Sequence, residues 1–475
     1  MSAARSAAAG MALLLAAACT APAPPRGGTG PESGAVCAAP QGRPPAETPT
    51  TIDVVEQGYF CILGNYYSGA TLDARSLLIA GFVALTQELN RNGRDVPEAV
   101  MPPLKGDRKA DWTAFEAVFR KTTARVPDLS TKLAIVTLEG MVAALNDNHA
   151  SWRHEANSSK RHPDHYDGDG YGLGFKANAE GDRNLDVAVP PLFVTTVEGG
   201  AARKAGLRPG DIIESINGMP PFLDGKATPA IAALDPEYPE ARPVRLRLLR
   251  QSTGRRWNVS LKPGLYPRDL ASLQVVQSKL LDDSIAYVRV RGFAPDAADR
   301  AFKAISRLRT GRTLTGVVLD LRGNNGGLVT ESTRLLSAFV HGKVTHHLCT
   351  VDDKCESLRT DDTVELVGLP LIVLTDRGCA SACEHVSSTV KDLRLGRLVG
   401  TRTAGVMSGP AQSFLLGNNT VLAFPARHGL GTDREEINLI GVPPDHHVPP
   451  TPQDAAAGRD AALAKALALL NGPPR

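Results

Sequence analysis

One serine in this chain stands where a serine can attack. The run from Leu371 to Glu384 reads L-I-V-L-T-D-R-G-C-A-S-A-C-E. An apolar stretch, Leu371 to Leu374, ends in a polar turn at Thr375–Gly378. Small residues then surround Ser381, and a helical pattern follows from Glu384 through Val390. A strand that turns sharply into a helix presents its first helical residues beside unpaired backbone N–H groups, which carry a partial positive charge. A hydroxyl there is exposed, and flanking alanines leave room for a substrate. This is the layout of a nucleophile elbow, without the G-x-S-x-G form. An N-cap serine reads the same way locally, so its partners must decide.

A serine hydroxyl is a weak nucleophile until a base takes its proton. The first candidate base is His149, in L-N-D-N-H-A-S at the end of a helical stretch. Alone it reads equally as a cap or a surface histidine. His154, His162 and His165 follow, but their spacing matches no closed metal site, and neither a metal nor another cofactor is expected.

The elements that must position these groups follow from the rest of the chain. Its 475 residues suffice for roughly three domains. Lys+Arg 53 against Asp+Glu 50 leaves a formal charge of +3, which gives no reason to expect nucleic acid as a partner. Residues 1–19 read as a lipoprotein signal: Arg5 supplies the charge, Met11 to Ala18 the apolar region, and L-A-A-A-C ends at Cys19. Ala16 stands where leucine is commoner, and a plain secretory signal is the alternative. Either places the mature chain outside the cytoplasm, held to membrane lipid through Cys19 or secreted. No later run of about 18 apolar residues is present.

Of the seven cysteines, six remain after Cys19. C-T-V-D-D-K-C reads as a short disulfide loop from Cys349 to Cys355, and Cys37 with Cys61 as a second pair. Cys379 and Cys383 bracket Ser381 and are expected to be small packing residues. Residues 20–50 form a Pro/Gly-rich tether. From Thr51 to about Leu145 the periodicity is helical, with faces at Leu72–Leu89, Trp112–Phe119 and Leu133–Leu145, and residues 51–160 are read as a helical domain. Asp73 is a candidate cap, and Gly93 a stop.

Residues 166–264 are strand-rich. Y-G-L-G-F (Tyr171 to Phe175) and A-G-L-R-P-G-D-I-I-E-S-I-N-G resemble a PDZ domain. The resemblance implies that Gly172, Leu173, Gly174 and Phe175 form a loop whose amides hold a peptide C-terminus while the peptide adds a strand. A module used only as a spacer is the alternative. From 265 to 475 strands and helices alternate, which argues for a partly parallel sheet covered by helices.

Four further stretches carry a family. D-L-R-G-N-N-G-G (Asp320 to Gly327), C-A-S-A-C-E, R-L-V-G-T-R-T-A-G and G-V-P-P-D resemble the tail-specific, or C-terminal processing, serine peptidases. The order of helical segment, PDZ module and α/β core is also theirs. The resemblance implies a multidomain α/β fold with a ClpP/crotonase-like core of mixed sheet, and a serine endopeptidase acting on polypeptides with free C-termini. It places the nucleophile at Ser381 and the oxyanion hole at the amides of Gly327 and Ala382. The chain departs from the pattern at Val406, where members of this family carry the general-base lysine; no lysine occurs between Lys391 and Lys465. Lysine-free relatives, similar to the tricorn branch, use a histidine, which falls on His149, with a glutamate near G-V-x-P-D. That glutamate aligns with Asn438, with Glu435 and Glu436 just before it, so Asn438 and Glu436 are the candidate orienting groups. Two readings stand: a Ser–His peptidase, and a catalytically inactive binding protein on the same scaffold.

Overall fold

Helices α1 (Ile52–Asn65), α2 (Ala74–Arg91), α3 (Arg108–Arg125) and α4 (Ser130–Ala143) form wherever apolar residues recur at helical spacing. The computed structural model describes residues 37–42, 44–154, 169–180 and 188–472. The segment read as a signal, with Cys19, most of the expected tether, and His162 and His165 lie outside these. Asp73 caps α2 by accepting from the Arg75 N–H (3.1 Å), and Asp107 caps α3 by accepting from Ala110 (2.7 Å). α2 and α4 cross where both backbones are bare. A Cβ on Gly140 would lie 2.7 Å from the Ala80 carbonyl oxygen.

The apolar faces of these helices share their core with a hairpin from the far end of the chain. Phe414, Leu416, Leu422 and Phe424 pack among Leu77, Phe115 and Leu138. The hairpin strands are Ala411–Leu415 and Val421–Pro425, and Ser151–Arg153 adds to the second antiparallel. The boundary expected near residue 160 is therefore crossed: 411–425 belongs to the N-terminal core. The burial of two phenylalanines and two leucines decides where it goes.

The PDZ-like module is a five-stranded antiparallel sheet. Its order is Phe175–Glu180, Val189–Val197, Ile212–Ile216, Val244–Arg250 and Arg255–Leu261, with the short helix α5 (Gly200–Lys204) beside it. Phe175–Glu180 is an edge strand.

The remaining sheet has six strands in the order Val276–Leu281, Ile285–Val290, Gly316–Asp320, Leu371–Thr375, Gly396–Gly400 and His446–His447. The first pairing is antiparallel and the other four are parallel. The three strands Ile285–Val290, Gly316–Asp320 and Leu371–Thr375 are almost wholly buried and read as apolar runs, interrupted only by Arg289 and closed by Asp320 and Thr375, as strands covered on both faces do. Helices α6 (Ala297–Arg309), α7 (Val329–Ser337) and α8 (Ala382–Asp392) cover one face. After α9 (Pro452–Ala456), α10 (Ala461–Leu470) covers the other. Asp320 and Arg322 of the D-L-R stretch tie this second layer down, because the Arg322 guanidinium bridges Asp320 and Asp460, each at 2.7 Å, and Asp460 caps α10.

Candidate functional site

The buried strand Leu371–Thr375 ends at a turn held by Asp376, whose Oδ1 accepts from the Gly323 and Gly378 amides, each at 2.8 Å. The chain then enters α8 through Ser381, at φ 57° and ψ −122°. A residue with a Cβ held at positive φ costs on the order of 1–3 kcal/mol and persists only where its surroundings impose it. Here the Ser381 amide donates to the Val406 carbonyl (2.9 Å) and, at longer range, to Glu384 Oε2 (3.2 Å).

Glu384 ties that second loop to the helix. Its buried carboxylate accepts from Thr403 Oγ1 (2.6 Å), Gly405 N (2.6 Å) and Val406 N (2.7 Å). Burial pushes its pKa up, and these three donors oppose the shift. Val406 thus contributes two backbone groups to the site and no amine.

Behind the serine lies the glycine run. A Cβ on Gly326 would stand 2.7 Å from the Ser381 Cβ and 3.1 Å from the Ala382 nitrogen, so only glycine allows this approach. Its amide donates to Asn324 Oδ1 (2.8 Å), and its carbonyl accepts from Phe293 (2.8 Å). The amides of Gly327 and Ala382, the next residues on the two sides of this contact, have no hydrogen-bond partner among the described residues. Sequence reading singled out Gly327 and missed Gly326; the five successive glycine-or-asparagine positions from Gly323 to Gly327 gave no way to separate packing from donation.

His149 sits in the loop that ends α4. Asp147 Oδ1 accepts from the His149 amide (2.8 Å) and from Ser408 Oγ (2.6 Å), while Asp147 Oδ2 accepts from the Tyr66 hydroxyl (2.9 Å). His149 Nδ1 lies 2.9 Å from Ser408 Oγ. The proton positions follow by counting. An ionised carboxylate only accepts, so Ser408 must spend its one proton on Asp147. Its oxygen then accepts from His149 Nδ1–H, which leaves the lone pair on Nε2. Burial lowers the His149 pKa, and the Asp147 charge partly offsets this.

The remaining expected residues fall elsewhere. Asn438 Oδ1 accepts from the Met407 amide (3.0 Å), and Glu436 pairs with His428 (2.7 Å), so neither orients His149. Glu435 is turned toward Asp392 and accepts from the Asp433 amide (2.9 Å). The groups that do hold the histidine are Ser408 and Asp147, which alignment to a family pattern could not find. The only signal for Asp147 was its spacing in D-N-H, where an Asx turn places the carboxylate beside the ring. No hydrogen bond joins His149 to Ser381. They are linked through residues 406–408, of which Val406 holds the serine amide and Ser408 the imidazole.

Among the described residues one group of three candidate metal ligands lies close together, Cys349, Asp353 and Cys355, and its two sulfurs are bonded to each other. Cys37 is joined to Cys61. Cys379 and Cys383 are also joined, and so are not the free packing residues expected. Cys379 falls in the turn before α8, not on its face, which brings the two sulfurs under the elbow. His154 pairs with Glu139 (2.9 Å). No described helix is long and apolar enough to cross a membrane.

In the PDZ-like module, Gly172 ends the strand Asp169–Gly172 and pairs with Gly264, while Gly174 O accepts from the Glu198 and Gly199 amides (2.9 and 3.0 Å). Leu173 and Phe175 point into the module's own core and do not line an open pocket. An open cavity of about 710 Å³, lined in part by Asn217, Pro236, Arg242 and Arg245, lies on this module.

Comparison with known proteins agrees with this architecture. Residues 284–448 match peptidase family S41 and residues 193–250 match a PDZ domain. The carboxy-terminal-processing protease of Bartonella bacilliformis is 29% identical over 344 residues, 70% of this chain and 72% of that protein. The chloroplastic carboxyl-terminal-processing peptidase 2 of Arabidopsis thaliana is 27% identical over 308 residues, 61% of this chain, and the match spans 55% of its length. In fold, the crystal structure of mature CPAF superposes with a TM-score of 0.54 at 14% identity, covering 88% of this chain and 97% of that one. The chain therefore carries a domain that matches peptidase family S41 together with a PDZ domain, and it is similar along most of its length to the C-terminal processing serine peptidases.

Proposed function

We propose that the protein is an extracytoplasmic endopeptidase that cuts polypeptides by a Ser–His mechanism, with Ser381 as nucleophile and His149 as base. The observation that carries the reading is the hydrogen-bond chain Asp147–Ser408–His149, which leaves the Nε2 lone pair of His149 as the proton acceptor. Ser381 Oγ attacks the scissile carbonyl carbon as its proton passes to Nε2. The positive charge that forms on the ring is stabilised through Ser408 by the Asp147 carboxylate. The oxyanion meets the amides of Gly327 and Ala382. The imidazolium then protonates the leaving amine, and water repeats the sequence on the acyl-enzyme.

The PDZ module delivers the substrate by its free C-terminus, which adds along the open edge of Phe175–Glu180. Three disulfides support an oxidising compartment, and Cys19 is the site for lipid attachment. A second reading, a binding protein without hydrolysis, draws on Val406, which offers no amine.

A fluorophosphonate probe on the purified chain separates the two. Labelling of the wild type, abolished in Ser381→Ala and slowed about 10²-fold or more in His149→Ala, is the expected result. An unlabelled wild type would leave only the binding reading.

A further inference from the structure

The two cysteines that bracket the nucleophile have no part in the chemistry above, yet their bond closes around it. Cys379 and Cys383 are four apart, and the residues between them include both Ser381 and Ala382. Both cysteines are completely buried, in the core under α8. We propose that the Cys379–Cys383 disulfide is the positioning element of the elbow, so that full hydrolytic rate depends on this bond being formed. The proposal rests on the Ser–His reading.

The argument is one of constraint. Ser381 must stay at φ 57°, a conformation that a residue with a Cβ leaves readily when nothing opposes it. Its relaxation toward right-handed helix would rotate the peptides on both sides and extend α8 backwards. That would move Cys379 relative to Cys383, whose Cα atoms the cross-link holds 5.3 Å apart. The hydrogen bonds at the elbow restrain single atoms: Ala380 N to Asn324 O (3.0 Å), Ser381 N to Val406 O (2.9 Å) and Ala404 N to Cys379 O (2.9 Å). Each can exchange for water during a fluctuation. The covalent closure cannot, and it acts on the one segment that carries both the nucleophile and an oxyanion donor. The other two disulfides act elsewhere: Cys349–Cys355 spans a hairpin, and Cys37–Cys61 ties the first described residues to α1.

The consequence is a peptidase that turns over about tenfold or more slowly wherever the pair is reduced. A phosphine breaks the S–S bond by transferring two electrons; each sulfur gains a hydrogen, and phosphorus takes oxygen from water to become the phosphine oxide.

The test compares full-length wild type with Cys379→Ser/Cys383→Ser and with Cys349→Ser/Cys355→Ser, at a temperature where circular dichroism shows all three native. Expected is a fall of about tenfold or more in the fluorophosphonate acylation rate and in kcat for Cys379→Ser/Cys383→Ser, with KM unchanged, because displaced reacting groups lose rate and not binding. The Cys349→Ser/Cys355→Ser control keeps the wild-type rate. If the first variant does not fold, a chain with Cys37, Cys61, Cys349 and Cys355 all replaced by serine, refolded with and without phosphine and then reoxidised, gives the same comparison for the remaining pair. A fall of less than about tenfold, an equal fall in the control, or a matching rise in KM overturns the proposal. An oxidised wild type that never takes the probe removes the Ser–His reading itself, and this proposal with it.

Discussion

Ser408 and His149 are 259 positions apart in the sequence and are joined by a 2.9 Å hydrogen bond. Asp147 closes the arrangement from the other side by taking the Ser408 proton at 2.6 Å. A carboxylate that reaches the imidazole through a hydroxyl fixes the tautomer as firmly as a direct contact, while its charge acts from one bond further away.

The relay can be tested by its effect on pH dependence. If His149 is the base, only its neutral form can accept a proton, so activity should fall as pH drops through its pKa, which burial sets below 6.5. Asp147 raises that pKa, so Asp147→Asn should shift the acid limb to lower pH while reducing kcat about 10²-fold. Ser408→Ala should act in the same sense and Ser408→Thr should restore most of the rate. Initial rates on an unfolded protein substrate between pH 4 and 9 decide it. An acid limb that stays in place in Asp147→Asn would exclude the relay.

Gly326→Ala should abolish acylation. The new methyl would meet the Ser381 Cβ at 2.7 Å, and the residue sits at φ 100°. Neither the backbone nor the buried helix can give way cheaply. Probe labelling beside a thermal melt distinguishes a displaced nucleophile from general unfolding, and wild-type labelling in this variant would mean that the elbow is looser than described.

At the far end of α8, burial and then Glu435 push the Asp392 carboxyl up to about 7. The unfolded chain ionises it near 3.8, so folding loses stability as pH rises from there toward 7 and does not regain it above. Asp392→Asn removes the loss. The variant should gain about 1–2 kcal/mol at pH 8, a figure reduced for solvent screening, and little at pH 4. Thermal melts at the two pH values measure the difference; equal gains would assign the effect to packing.

Peptide capture should depend on a free carboxylate. Charge-assisted bonds from loop amides are worth roughly 1.5–3 kcal/mol each, so a peptide acid should bind the Ser381→Ala chain about tenfold or more tightly than its amide. Calorimetry reads this directly. Equal affinity would make the module a spacer or a gate.

Much of the architecture was legible because it rests on local signals. Apolar runs marked the strands around Leu371, helical spacing marked α1 to α4, and Ser381 was conspicuous among small residues. What escaped depended on contacts between distant segments. Phe414 and Phe424 read as an ordinary hairpin beside Gly417, and nothing near them pointed to a helical core built from residues 52–145. Asn438 was chosen by position in a motif, but a backbone amide, that of Met407, already occupies its oxygen. The Cys379–Cys383 pairing was missed because a spacing of four suggests one helix face, whereas α8 begins only at Ala382.

The hairpin at 411–425 completes the core on which the His149 loop stands, and Ser408 lies just ahead of it. The histidine is made early in synthesis and its partner late. A chain still emerging, or one clipped before residue 408, holds the proposed base and even the proposed nucleophile yet lacks the Ser408 hydroxyl that sets the imidazole's proton. On the Ser–His reading the order of translation therefore acts as a safety catch, because the site cannot be armed before the hairpin at 411–425 has been built.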